Sequence, residues 1–400
     1  MRKLVMVSLD ALFDRDVENL PEDGFLRRFL SKAAVSTQVK TVFPALTYPA
    51  HVTLMTGCEP IEHGVGQNQP FQPGVAPDMR AWYWDMAHVQ RETLPQAVHR
   101  CGGRVASILW PVTARSGDIR WNFPEVIALP GENQVLKMLR YGTAPWILGM
   151  ELRHGRKRVS THEPHLSDYA TVLACDVIRR HQPELTLVHL VDLDEMRHHH
   201  GTHSPEAAEA LRRQEHRVED IWRAMQETPG MRDALLVLVS DHGQADVSRT
   251  VCLADSLNGD ALVQSNGMTA YFFASTRGEE GLRRAEYRLR QRAAELGVSC
   301  VYDRARLDEM GCVKGPAFAA EAAPEVVFAD GLPQAKRERA THGFGPGHPA
   351  ENCLLAVRGA GIAPGELPAM PMRCVAPTLA ALMGVDLPQA SGINMMEKWG

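Results

Sequence analysis

No Cys-x-x-Cys pair occurs in this 400-residue chain, although it holds eight cysteines. Cys58, Cys101, Cys175, Cys252, Cys300, Cys312, Cys353 and Cys374 are widely spaced, so neither a thiolate zinc site nor a redox dithiol is indicated. Most stand in apolar surroundings and read as buried thiols of a reducing compartment. No apolar stretch approaches the roughly 18 residues of a membrane span. The segment Met1 to Asp10 runs straight into strand-type sequence and lacks the apolar region and small-residue cleavage site of a signal peptide. A cytoplasmic location with no membrane partner is therefore expected. Charge of one sign is missing as well: 43 Lys and Arg face 48 Asp and Glu, a net −5, and the basic residues are scattered. That leaves no stripe for a nucleic-acid polymer. Internal repeats and low-complexity runs are absent too.

What is present is ordinary in bulk and unusual in detail. Apolar residues make up 44% and charged residues 23%, enough for a sizeable core in one large α/β domain with an inserted lobe, or in two domains. The 17 histidines are many, and they gather in a few segments, for which metal binding is the simplest explanation. Those segments are Val5 to Asp10, Phe43 to His51, Asp194 to Gly201, Val239 to Gly243 and Thr341 to Gly343. The first, third and fourth place a carboxylate just past an apolar β-type run, where an open α/β sheet holds its ligands.

Apolar runs at Leu4–Leu9, Val35–Val42, Gly103–Trp110, Leu185–Val191, Ala234–Val239 and Asn352–Arg358 read as strands. Helical spacing marks Gly24–Ala33, Tyr48–Thr56, Glu92–Cys101, His165–His181, Pro205–Glu227 and Val375–Met383. This alternation predicts a mostly parallel central sheet with helices on both faces. Between Gly243 and Thr341 the pattern changes to strand (Gly267–Ser275), charged helix (Glu279–Leu296) and strand (Val298–Tyr302), with Pro324–Asp330 as a third candidate strand. We assign residues 1–243 and 341–400 to a metal-binding core and 244–340 to an inserted α+β cap. Gly64–Arg80 reads as a loop near the site. In the loop Gln67–Trp84, the aromatics Phe71, Trp82, Tyr83 and Trp84 either stack on a substrate or pack the cap onto the core, with packing favoured.

Three carboxylates, three imidazoles and one hydroxyl suit a two-metal phosphoryl-transfer site. Thr47 follows a strand and opens a helix, where backbone N–H groups and the helix dipole favour an anion. A free threonine hydroxyl is a poor nucleophile and needs a divalent cation to activate it; the plainer role is helix N-cap. Asp194 and His198 are four apart and share a helix face. Asp192 competes as the carboxylate there, and His199 and His200 compete with His198. Asp241 and His242 close an apolar strand. His342 competes with His348, since glycines flank both.

Taken together these segments resemble the alkaline phosphatase superfamily, most closely its nucleotide pyrophosphatase/phosphodiesterase branch. The likeness runs from Leu4 to about Gly392, inserted portions excepted. It rests on Asp10 at the first strand end, on Phe43-Pro-Ala-Leu-Thr47-Tyr-Pro-Ala-His51, and on Thr56-Gly57-Cys-Glu-Pro60-Ile-Glu-His63-Gly64 with Asn68 following. It rests also on Asp194-x-x-x-His198-x-x-Gly201, Asp241-His242-Gly243 and His342-Gly343. The resemblance implies Thr47 as nucleophile and Asn68 as a phosphate-oxygen donor together with the Thr47 N–H. It implies one divalent ion on Asp10, Thr47, Asp241 and His242, and another on Asp194, His198 and His342. Nitrogen and oxygen ligands without thiolate suit zinc, with manganese also compatible. The expected activity is hydrolysis of a small phosphodiester or nucleotide through a phosphothreonine. A phosphonoacetate-type C–P hydrolase, a phosphomonoesterase and a non-catalytic phosphate-ester binder are the alternatives. Two departures stand out: Ala11 where Gly is common, and Arg197 where a small residue is usual. Arg197 is expected either to face the leaving group or to pair with Glu195.

Overall fold

Every residue of the strand β1 (Leu4–Leu9) is buried, so this strand must be covered on both faces and paired on both edges. The computed structural model describes residues 1–331 and 338–396 and shows how this is done. Five more strands precede position 240: β2 (Ala34–Lys40), β3 (Val105–Ile108), β4 (Trp121–Phe123), β5 (Leu185–Leu190) and β6 (Leu235–Val239). β1 pairs in parallel with β5 on one side and β6 on the other. Its side chains alternate between two cores. Leu4 and Met6 join the helices Thr47–Thr56, Leu94–Arg100 and Val375–Met383 on one face. Val5, Val7 and Leu9 join His165–His181 and Pro205–Glu227 on the other.

The next stretch holds β7 (Ala245–Val251), β8 (Ala261–Asn266), β9 (Thr269–Ala274), β10 (Val298–Tyr302), β11 (Phe318–Ala322), β12 (Glu325–Phe328) and β13 (Ala340–Thr341). The chain then returns through β14 (Asn352–Arg358), β15 (Gly365–Glu366) and β16 (Met370–Pro371). The central sheet runs β15-β2-β14-β6-β1-β5-β3-β4, with β16 also on β2. Among the described residues only β14 opposes its neighbours β2 and β6, so the expected mostly parallel sheet with helices on both faces is what the chain forms.

The segment after Gly243 builds its own four-stranded antiparallel sheet, β10-β11-β9-β8, backed by the helix Gly278–Gln291. The sequence pattern showed β9, that helix and β10, but not β8 and β11. The third candidate strand, Pro324–Asp330, narrows to β12 and joins a different sheet, β12-β7-β13. Residues 332–337 of the segment assigned as cap lie outside the described residues.

Candidate metal centre

Parallel pairing of β1, β5 and β6 brings three carboxyl-terminal strand ends side by side, and each delivers one carboxylate. Asp10 follows β1, Asp194 lies in the helix Asp192–His200 just after β5, and Asp241 follows β6. All three are buried. Asp241 Oδ1 accepts the Ala11 N–H at 3.3 Å. Ala11 adopts φ +62°, the left-handed region that costs an L-residue about 1–2 kcal/mol and that Gly adopts freely.

Three imidazoles face these carboxylates, each held the same way. His198 Nδ1 lies 2.9 Å from the Ala340 carbonyl, His342 Nδ1 3.0 Å from that of Ala45, and His242 Nδ1 3.2 Å from that of Gly243. Each Nδ1–H donates outward, so each Nε2 presents its lone pair inward, the usual outer-shell arrangement of a histidine ligand. Nε2 of His242 is 3.2 Å from Asp241 and 3.6 Å from Asp10. Nε2 of His198 and of His342 stand 3.4 and 3.9 Å from Asp194. The His242 and His342 rings stack at 3.9 Å.

Thr47 is the first residue of the helix Thr47–Thr56, whose N-cap is Leu46, so Thr47 is not the cap. Its hydroxyl lies 3.1 Å from His242 Nε2. Asn68 Oδ1 accepts the Tyr48 N–H at 3.0 Å, and Asn68 lines the adjoining cleft. All the residues singled out in the sequence as nucleophile, phosphate donor or ligand therefore meet around one volume.

Three observations show that this volume suits cations. Asp10 Oδ1 and Asp241 Oδ2 are buried with no hydrogen-bond partner. Burial, with Asp194 nearby, pushes Asp10 up to about 7; burial, with Asp10 nearby, raises Asp241 well above its ordinary value. Burial and the neighbouring His342 hold His242 well below its usual range, which favours the neutral imidazole. Ligand atoms of Asp194, His198 and His342 lie within 4.8 Å of one another, as do those of Asp10, Asp194 and His242. Asp194 thus stands between both groups. Such a mutually repelling, undersupplied set of oxygens and nitrogens fits two divalent ions.

The structure also separates the competitors. Asp192 is consumed by Arg213 and Arg217, at 2.6 to 2.8 Å. His199 pairs with Glu195 at 2.9 Å, His200 stands 3.9 Å from Glu206, and His348 stacks on Phe344. Neither expectation for Arg197 holds. With Glu195 taken by His199, the Arg197 guanidinium turns back to Asp16 (2.5 and 3.1 Å) and the Ala11 carbonyl, over the Phe13 ring. Among the aromatics, Phe71 stacks on Phe273 of β9 at 3.7 Å and Trp84 is buried under Lys137, whereas Trp82 lines the cleft.

Sequence reasoning missed His189, Glu125 and Gln244. His189 bonds Asp10 at 2.9 Å and Glu125 at 3.0 Å, and the Gln244 amide donates to Asp194. A histidine inside the otherwise apolar run Leu-Thr-Leu-Val-His-Leu was the available signal for the first. The cleft beside the centre encloses about 380 Å³. A larger hollow of about 650 Å³, between the helices His165–His181 and Pro205–Glu227, contains none of these site residues.

A mostly parallel sheet whose adjacent strand ends gather three carboxylates, three imidazoles and a threonine places the chain in the alkaline-phosphatase-like class of α/β hydrolases. Residues 4–313 match the model of type I phosphodiesterase / nucleotide pyrophosphatase, and the chain belongs to that family. It is 24% identical over 263 residues to a Caenorhabditis elegans ectonucleotide pyrophosphatase/phosphodiesterase, covering 62% of this chain but only 31% of that protein. The fold is that of human ectonucleotide pyrophosphatase/phosphodiesterase 5 (18% identity, TM-score 0.73, 99% of each chain). The murine counterpart superposes equally well (16%, TM-score 0.72, 98% of this chain and 97% of that one). An inactive form of the murine protein, solved in complex with AMP, also superposes (16%, TM-score 0.73, 99% of each).

Proposed function

We propose that this protein hydrolyses phosphodiester or pyrophosphate bonds of small nucleotide-type substrates, with Thr47 as nucleophile. One observation carries the reading: the Thr47 hydroxyl, 3.1 Å from His242 Nε2, opens a helix beside two buried carboxylate oxygens that lack any donor. Asp10, Thr47, Asp241 and His242 would hold one divalent cation, and Asp194, His198 and His342 the other. Nitrogen and oxygen donors without thiolate suit zinc, with manganese also compatible, and when bound the ions would supply hydroxyl activation and charge neutralisation. The Thr47 hydroxyl gives up its proton to solvent and attacks phosphorus in line, its O–P bond forming as the bond to the leaving oxygen breaks. The leaving oxygen takes a proton from solvent, and water later adds to phosphorus, breaking the Thr47 O–P bond and restoring the hydroxyl. With Asn68 Oδ1 held by Tyr48, the Asn68 NH₂ is left to donate to a non-bridging oxygen. Trp82 offers an apolar wall for the distal part of the substrate. The AMP bound by the murine relative supports a nucleotide there.

A panel of bis-p-nitrophenyl phosphate, a dinucleoside polyphosphate, a phosphomonoester, phosphonoacetate and a sulfate ester tests this. Higher catalytic efficiency on the diester and the pyrophosphate than on all others is expected. Faster turnover of phosphonoacetate, or none of any substrate with both ions supplied, would sink the reading. We also place the protein in a reducing compartment, in keeping with the buried free thiols Cys58, Cys175, Cys312, Cys353 and Cys374. Fractionation of the source cells checks this.

A further inference from the structure

His189 occupies the next-to-last position of β5, wholly inside the core. Its Nε2 lies 2.9 Å from Asp10 Oδ2, and its Nδ1 lies 3.0 Å from Glu125 Oε2 and 3.2 Å from the Leu109 carbonyl. Both ring nitrogens of His189 are thus engaged, with Asp10 on one edge of the ring and Glu125 on the other. The other oxygen of Glu125 accepts the Tyr48 hydroxyl at 2.9 Å, and Tyr48 is the residue after Thr47. An unbroken run of bonds thus joins Asp10 to the start of the nucleophile helix.

The bond to Oδ2 leaves Asp10 one oxygen, Oδ1, for the cluster, and that oxygen has no other partner. It also fixes the rotation of the carboxylate. Stability alone does not explain such an arrangement, because apolar side chains of similar volume commonly pack as well as or better than a buried polar network. We propose that His189 and Glu125 are positioning residues that hold Asp10 as a one-oxygen ligand in set register with Thr47. This rests on the two-metal reading above.

The test titrates Zn²⁺ into the full-length protein against a chromophoric chelator, alongside steady-state kinetics on bis-p-nitrophenyl phosphate. Glu125→Ala and His189→Leu should each weaken one of two Zn²⁺ sites about 10- to 100-fold and leave the other unchanged. kcat should fall while KM stays within about twofold, and excess Zn²⁺ should recover most of kcat. Glu125→Gln, which keeps an accepting oxygen, should lie between Glu125→Ala and wild type. Glu125 is partly exposed, so Glu125→Ala decides the matter if His189→Leu does not fold. Two wild-type Zn²⁺ affinities in a folded Glu125→Ala protein would overturn this inference and leave the two-metal reading intact. Fewer than two Zn²⁺ bound by the unaltered protein would overturn both.

Discussion

The two halves of the metal centre are built differently. Asp10, Asp241 and His242 are 1% exposed or less and sit directly on the ends of β1 and β6. Asp194 and His342 are 8% and 7% exposed and His198 is more open still; Asp194 and His198 lie in the helix Asp192–His200, and His342 follows the short strand β13 outside the central sheet. They depend on a returning chain strapped into place: the Arg339 N–H donates to the His198 carbonyl at 2.8 Å, and the Gly343 N–H to that of Ala45 at 2.8 Å. His198 and His342 also line the cleft. The first half is thus pre-formed by the sheet, and the second faces the cleft.

Removing the proposed nucleophile should break the comparison altogether: Thr47→Ala is expected to lower kcat by about 10⁴-fold, with the protein still folded by circular dichroism. Retained turnover would show that neither half serves Thr47. Next in size, Asp241→Asn should cost about 10³-fold in kcat and His342→Ala about 10²-fold, each with one ion lost by elemental analysis. The reverse ranking would mean that the open half dominates the chemistry.

Chelation sharpens the contrast through pH. In ion-free protein Asp10 is raised to about 7 by burial and Asp194, so the folded state holds its proton where the unfolded state has lost it. Stability from this group is full below the unfolded carboxylate range, and it is lost as pH rises through about 7. Thermal melts of ion-free protein should therefore show a fall between about pH 4 and 7 that is shallower in Asp10→Asn. An unchanged slope in that variant would refute the assignment.

Smaller effects distinguish core from cap. Phe71→Ala should remove about 1 kcal/mol of stability through its stack on Phe273 with kcat within threefold, whereas Trp82→Ala should raise KM and leave melting nearly unchanged. Smallest of all, Ala11→Gly should stabilise by about 0.5–1 kcal/mol in denaturant titration, as left-handed strain is relieved against the added chain entropy.

Much of the core was legible because burial on both faces leaves a strong pattern. Leu4–Leu9, His165–His181, Pro205–Glu227, Asn352–Arg358 and Val375–Met383 have the same bounds in sequence and structure. The cap segment was less legible for equally physical reasons. β7 is largely solvent-facing, so Ala-Asp-Val-Ser-Arg-Thr-Val carries little apolar signal. β11, Phe-Ala-Ala-Glu-Ala, is rich in a residue that strands disfavour and is recruited by its neighbours β9 and β10.

The chain alone determined which residue types stand at the strand ends, because an apolar run that stops at a carboxylate announces itself locally. Tertiary structure decided which of several neighbours is used: Asp194 over Asp192, His342 over His348, Arg197 turned to Asp16. It also decided that His189 meets Asp10 across 179 residues of chain. Those choices depend on which strands lie side by side and which charges are already paired, and neither is written in local spacing.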